Sequence, residues 1–407
     1  MPSTLRRTFL GMVATGTVAS IAGCSSSCPD SGAPDPSHTV EPRTANSGFE
    51  TVPDSSWPSP RFDAANTGYA PVKMATTTPS VQWQTDISTT SASNDTGGAS
   101  AVVVADETVV STMSTGVVAL SLRDGTEQWR REFTSATVPS TVDIGDNPAP
   151  PVMANGRVYL ATADSVVALA VDDGTVVWRN TDVAGTGVPV VTDAALFVPT
   201  TDGVARFDTT DGHRQWTVPA DGTRLAVADG TVVINGEQVV AVDADTSEVR
   251  WRRSDRPTRY PVVVDRTVYV SGSYGELIGR SLTDGTEQWR IDRGRSLEVP
   301  VVTPESVYAI ERPGEASSAT FAFDRVDDGP PEPRWCSEIN LGGAVTAAAD
   351  DGVFTFQRDD GLTAFTTRFG EAVWQYPAEY QAVSLAVLDG GIVSVSPDGT
   401  VVALGGE

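Results

Sequence analysis

Apolar residues in this chain come in short runs of four to six, broken by Asp-Gly and Asn-Gly. One stretch reads Pro151-Val152-Met153-Ala154, then Asn155-Gly156, then Arg157-Val158-Tyr159-Leu160. It continues through Val166-Val167-Ala168-Leu169 to Asp172-Asp173-Gly174 and ends at Trp178. Alternating runs of this length predict strands, and Asn-Gly or Asp-Gly between two runs predicts a tight hairpin. In the last turn before the Trp, glycine accepts the positive φ of a hairpin or its bulge. Each such stretch is therefore four antiparallel strands.

The unit recurs. A second copy starts at Pro261-Val262-Val263-Val264, passes Val268-Tyr269-Val270 and reaches Asp284-Gly285. The seven residues from Asp284 to Arg290 are identical to those from Asp124 to Arg130. Tryptophan marks the copies at Trp83, Trp129, Trp178, Trp216, Trp251, Trp289, Trp335 and Trp374, spaced 35 to 49 residues apart. That is the period of one propeller blade. A lone four-stranded sheet cannot cover both its faces, so each Trp on an outermost strand should bury its ring against the next blade.

The two ends of the array settle the count. Val81-Gln82-Trp83-Gln84 is a Trp strand with no inner strands before it. The last unit, from Leu385-Ala386-Val387 to Val401-Val402-Ala403-Leu404, has inner strands but no Trp. The expected fold is all-β: an eight-bladed β-propeller of four-stranded antiparallel blades over residues 57–407. Pairing of residues 81–86 with the blade of residues 385–404 closes the ring and removes the open sheet edges. The copies are not uniform. The Asp-Gly turn is lost around Asp245-Thr246-Ser247-Glu248, and the sixth blade carries an insertion, Arg312 to Thr320, and a Pro-rich turn, Gly329 to Pro333.

The N-terminus follows a different pattern. Arg6-Arg7 precede Thr8-Phe9-Leu10 and an uncharged run from Gly11 to Ala22. At about twelve residues the run is too short to cross a hydrocarbon core of about 30 Å, so it reads as a signal peptide. The arginine pair resembles the twin-arginine export signal. Ile21-Ala22-Gly23-Cys24 resembles a lipobox, which places cleavage before Cys24 and a lipid on its thiol. Residues 1–23 are then the signal, and residues 24–56, rich in Ser, Pro, Asp and Gly, a disordered tether. The expected location is the outer face of the cytoplasmic membrane, the cell surface, with the membrane reached through Cys24. Of the other cysteines, Cys28 lies in the tether and Cys336 beside Trp335. A Cys28–Cys336 disulfide is open; a buried free Cys336 is the expectation.

Charge narrows the function. The net charge is −25 and Lys73 is the only lysine. A field this negative repels phosphate backbones, which argues against nucleic-acid partners. Abundant carboxylates with almost no lysine indicate a halophilic, archaeal-type protein, whose surface repulsion is screened by molar salt.

The pattern Ala-x-x-x-Asp-Gly-x-x-x-Trp resembles the PQQ-like repeat family, which includes BamB-type assembly lipoproteins and quinoprotein dehydrogenases. Trp57-Pro58, Arg61-Phe62-Asp63 and Thr67-Gly68 resemble the family's lead-in. The resemblance implies the propeller but leaves function open. Its enzymatic members hold pyrroloquinoline quinone beside calcium, against a disulfide of adjacent cysteines, and no two cysteines are adjacent here. No PQQ and no metal are therefore expected. Only two histidines exist, His38 in the tether and His213 in an Asp-Gly turn, which argues against a His-based triad or zinc site. The acidic pairs Asp172-Asp173, Asp327-Asp328, Asp350-Asp351 and Asp359-Asp360 sit where Asp favours turns. The expected role is a monomeric, non-catalytic scaffold for a protein or small ligand, with a quinone-dependent dehydrogenase or other propeller enzyme as the alternative. Topology puts the residues just before each inner strand at the channel mouth, and these include Arg224, Arg259, Tyr260 and Glu298, with Tyr274 and Glu276 on opposing loops. The arginines there could meet an anion or acidic peptide, or pair with nearby carboxylates.

Overall fold

The computed structural model describes residues 38–40, 48–73, 78–88, 101–113, 116–132, 149–257, 259–272, 274–311, 318–326, 329–339, 346–357, 361–377 and 382–406. The export signal with Arg6 and Arg7, the lipid site Cys24, Cys28, most of the blade 6 insertion, Asp327-Asp328 and Asp359-Asp360 lie outside them. Among the described residues there are strands and no helix.

Eight antiparallel sheets stand around an axis. Blade 2 is representative: Val152–Ala154, Arg157–Ala161, Val166–Ala170 and Val176–Asn180, counted from the axis outward. The inner strands of blades 1 to 8 are Val102–Ala105, Val152–Ala154, Val190–Val191, Arg224–Ala228, Val262–Val264, Val301–Val302, Thr346–Ala348 and Ser384–Leu388. Each touches the next, and the eighth touches the first, so the ring is closed. The closing blade joins the two ends of the repeat array: Ser80–Asp86 runs antiparallel to Thr400–Gly405, with Trp83 opposite Ala403 and Asp86 opposite Thr400. This is the pairing that the mismatched ends of the repeat predict.

The core lies in wedges between blades. One cluster joins Val103, Val110 and Trp129 of blade 1 to Val158, Leu169 and Val171 of blade 2. Because blades cover both faces of their neighbours, a middle strand such as Thr108–Met113 is buried at every residue. Only outer strands alternate, as Ser80–Asp86 does.

The Asp-Gly turn and the Trp turn out to be two halves of one contact. The Trp83 indole N–H donates to Leu122 O of the next blade at 2.8 Å, and Trp129 to Val171 O at 2.6 Å. Each ring lies on the glycine of the next blade's Asp-Gly turn. A Cβ at Gly125 would stand 2.5 Å from the Trp83 ring, and one at Gly174 would stand 2.5 Å from the Trp129 ring. These glycines also hold φ near +70° and +66°. Glycine is required twice, by the backbone and by the indole. The turn aspartates close the hairpins: Asp173 Oδ1 accepts from Thr175 N at 2.9 Å and from its hydroxyl at 2.7 Å. These hydrogen bonds hold the carboxyls of Asp124, Asp173, Asp208 and Asp284 below their ordinary range. The residue two past the Trp adds a further bond, as Arg131 Nε donates to Gly174 O at 2.7 Å and Thr85 Oγ1 to Gly125 O at 2.7 Å.

Two expectations need correction. Part of the segment read as disordered tether is seated on the propeller. His38–Thr39 adds a parallel fifth strand to the outer edge of blade 7, and Val40 N donates to Gln375 O at 2.7 Å. Phe49, 7% exposed, packs where Gly391 and Gly405 leave room, and its amide donates to Arg123 O at 2.7 Å. A few apolar side chains and an open sheet edge suffice to order these pieces, despite the polar composition around them. Cys336 is half-buried and disulfide-bonded, not a free thiol.

Candidate functional site

Every inner strand is a sheet edge. Half of its N–H and C=O groups point at the axis, where no strand of the same blade can reach them. Buried polar backbone is costly unless it is paired. Here a segment from outside the repeat does the pairing. Trp57 exchanges both backbone hydrogen bonds with Val104 of blade 1, at 2.7 and 2.8 Å, and Pro58 O accepts from Met153 N of blade 2 at 2.8 Å. The chain then turns through residues 59–63. On the far side Ala64 O accepts from Val227 N at 2.7 Å, Ala65 O from Val263 N at 3.0 Å, Thr67 O from Val302 N at 2.9 Å and Gly68 O from Ala348 N at 2.9 Å. The lead-in thus lines the channel, touching six inner strands by backbone pairing among the described residues.

Its local chemistry explains the path. Phe62, Asn66 and Gly68 take φ of 73°, 59° and 67°, a region that Asn and Gly tolerate best. Asp63 ties the turn by accepting from Thr67 N and Thr67 Oγ1, both at 2.9 Å. Burial raises the Asp63 carboxyl above its ordinary range, opposed by those Thr67 bonds. Asn66 Nδ2 bridges two blades by donating to Leu225 O at 2.5 Å and Pro261 O at 3.0 Å. Arg61 Nη2 donates to Pro300 O at 2.6 Å. Burial pushes the Arg61 guanidinium down to about 10, with Asp63, Glu298 and Tyr260 pulling the other way.

Between Pro58 and Ala64 the lead-in leaves the wall, and a cavity of about 440 Å³ opens against blade 3. All four mouth residues expected from topology, Arg224, Arg259, Tyr260 and Glu298, line it. Arg259 Nε lies 3.0 Å from Glu298 Oε2, and both side chains are mostly buried. The pairing with a nearby carboxylate, one of the two readings left open for these arginines, therefore holds at Arg259. The cavity carries Arg61, Arg224 and Arg259 against Asp63, Asp193 and Glu298, so it is balanced inside a strongly acidic chain. Phe62, Met153, Val188 and Val190 supply apolar wall.

Other candidates lie elsewhere. Tyr274 is 75% exposed, and Glu276 accepts from its amide at 3.0 Å, away from the cavity. His213 is exposed in its turn, and His38 is exposed on the blade 7 edge. The repeat tryptophans serve the outer strands and do not line the cavity. Arg61-Phe62-Asp63 and Thr67-Gly68 stand out in the sequence, but nothing in it gives them a place. Their signal was positional: a conspicuous non-repeating stretch directly before a closed repeat array.

A family model described as outer membrane protein assembly factor BamB matches residues 64–218 and 162–340. No curated protein matches the chain. Among solved structures, the quinohemoprotein alcohol dehydrogenase of Comamonas testosteroni superposes with a TM-score of 0.69 at 15% identity, covering 86% of this chain and 80% of its own. BamB of Moraxella catarrhalis gives 0.57 at 15% identity, covering 79% and 100%. A europium-containing methanol dehydrogenase gives 0.62 at 13% identity, covering 86% and 89%. At these identities the likeness concerns the fold. Glu298 is engaged by Arg259 and Asp63 by Thr67, and among the described residues no three His, Cys, Asp or Glu side chains converge.

Proposed function

This chain belongs to the family of the outer membrane protein assembly factor BamB, and from that membership we propose that it is a membrane-tethered scaffold that binds a partner at its axial cavity. The carrying observation is the cavity itself: about 440 Å³, open, with apolar walls and a balanced set of charges around it. That size and mixture suit a ligand site. Export through Arg6-Arg7, a lipid on Cys24 and a salt-adapted surface belong to the same reading, supported by the N-terminal pattern and the net charge of −25.

Two experiments test it on the full-length protein in native membranes at molar salt. Cys24→Ser should move the protein from the membrane fraction to the medium; retention in the membrane would remove the lipid anchor from the proposal. A photo-crosslinking residue at Tyr260, in the cavity, should give a discrete adduct, while one at the exposed Val177 on an outer strand should not. No adduct at Tyr260 would overturn the scaffold reading. The alternative, a quinone-dependent dehydrogenase, draws on the likeness to the two dehydrogenases. It requires dye reduction on adding quinone and calcium, which the scaffold reading does not.

A further inference from the structure

We infer that the inner strand of blade 3 is a strand-pairing site for an extended peptide segment of the bound partner. This rests on the scaffold reading above and names the chemistry of its ligand.

The register makes the inner strands comparable. Val191 faces Leu196 in blade 3 as Val227 faces Val232 in blade 4, Val263 faces Val268 in blade 5 and Val302 faces Val307 in blade 6. In each, this residue's N–H and the carbonyl two residues earlier point away from the neighbouring strand, toward the axis. Blades 4, 5 and 6 have both groups satisfied by the lead-in. Val227, Val263 and Val302 donate to lead-in carbonyls. The carbonyls of Leu225 and Pro261 accept from Asn66 Nδ2, and that of Pro300 accepts from Arg61 Nη2. Each blade therefore receives one acceptor and one N–H donor.

At blade 3 the matching groups are the Val191 N–H and the Pro189 carbonyl. Among the described residues neither has a hydrogen-bond partner, and both residues line the cavity. The lead-in is turning through residues 59–63 at that point. A donor and an acceptor two residues apart on one strand edge are what a single residue of an added parallel strand meets: its N–H bonds the Pro189 carbonyl and its C=O receives the Val191 N–H. The lead-in satisfies the same pair of groups in blades 4 to 6, there with its carbonyls and with side-chain N–H groups, and of the two inner strands it leaves unpaired, those of blades 3 and 8, only that of blade 3 presents both groups in the cavity. Phe62, Met153, Val188 and Val190 around it favour small or apolar side chains on that guest.

The probe is an acetylated, amidated Ala-Ala-Asn-Thr-Gly peptide, the sequence of residues 64–68 that serves blades 4 to 7. The readout on the intact protein at molar salt is amide hydrogen exchange resolved at single residues. In the free protein Val191 should exchange at least about tenfold faster than Val227 and Val263, as an unpaired amide does. Saturating peptide should slow it about tenfold, and a backbone N-methylated peptide should not. Val191→Pro removes the donor at an edge position where proline is tolerated and should weaken peptide binding about fivefold to tenfold, the worth of one hydrogen bond. If that variant does not fold, the N-methylated peptide carries the test on the native chain. Slow exchange at Val191 without peptide would mean that this chain covers its own strand and would overturn the inference, as would equal protection by the two peptides. A Tyr260 crosslink of undiminished yield in Val191→Pro at a subsaturating partner concentration would sink strand pairing alone. Loss of the crosslink from the native protein would sink the scaffold reading itself.

Discussion

The rim and the axis of this propeller solve the same problem in opposite ways. At the rim a repeated device joins five of the blades to the next, the indole of Trp83, Trp129, Trp178, Trp251 or Trp335 laid on the glycine of the next turn. At the axis the blades are joined by one segment, residues 57–73, used once and different at every strand. The rim is modular, so damage there should be felt blade by blade. The axis is shared, so one residue of the lead-in can loosen two blades together. Asn66, bonded to Leu225 O and Pro261 O, is such a residue.

The largest expected effect is at the rim. Trp83 is fully buried and sits in the blade that closes the ring. Trp83→Ala should cost about 3–5 kcal/mol, read as a lower denaturant midpoint at molar salt. An equal loss for Trp216→Ala, whose ring is only half-buried, would contradict the packing argument. At the axis, Asn66→Ala strands two buried carbonyls and should cost about 2–3 kcal/mol. Its signature is spatial: exchange should quicken at the inner strands of blades 4 and 5 and stay unchanged at the outer strands. Uniform quickening would erase the distinction between rim and axis.

A smaller gain is expected in blade 4. There Ser247 holds φ of 62° where the other turns use glycine. Ser247→Gly should raise stability by about 0.5–1 kcal/mol, since a side chain in the left-handed region is penalised; no change in melting midpoint would mean that the turn is not strained. The smallest effect separates the regions by sign. Rim aspartates such as Asp173 are held low by threonine hydrogen bonds, so they release their protons more readily folded than unfolded. Their contribution is present above the unfolded carboxylate value of about 4 and fades as pH falls below it. Asp63 at the axis is raised by burial, so its ionisation works against the fold as pH rises past that value. Carboxyl titration by NMR should find Asp63 above about 4 and Asp173 below it; the reverse order would refute the assignment.

The same contrast explains what was legible beforehand. Repetition announces itself, so the Trp and Asp-Gly signature yielded the blade count, and the orphan strand at residues 81–86 yielded the closure. The mouth residues Arg224, Arg259, Tyr260 and Glu298 followed from topology alone, because whatever precedes an inner strand must lie at one end of the channel. Their mutual contacts did not follow, since Arg259 and Glu298 are 39 residues apart and meet only because neighbouring blades converge. The lead-in was visible as a motif but silent as a path. Most of its hydrogen bonds to the inner strands are made by backbone groups, which no residue pattern encodes. Val40 and Phe49 were hidden for a related reason: two apolar side chains in a polar stretch carry no period, yet each finds a prepared place on a surface built from distant residues.

The closing blade has a consequence for how the molecule is made. Ser80 and Gly405, bonded side by side in it, are 325 residues apart in sequence. Contacts this distant are slow to form, because the intervening chain must be ordered or its loop entropy met first. The early blades can assemble while synthesis continues, but the strand Ser80–Asp86 must wait for Thr400–Gly405, a partner made long after it. A nascent or prematurely ended chain therefore carries an unsatisfied strand edge throughout its elongation, the kind of edge that recruits other chains. Closure, in this protein, is conferred all at once by one stretch of six residues, Thr400–Gly405, far along the chain from its partner.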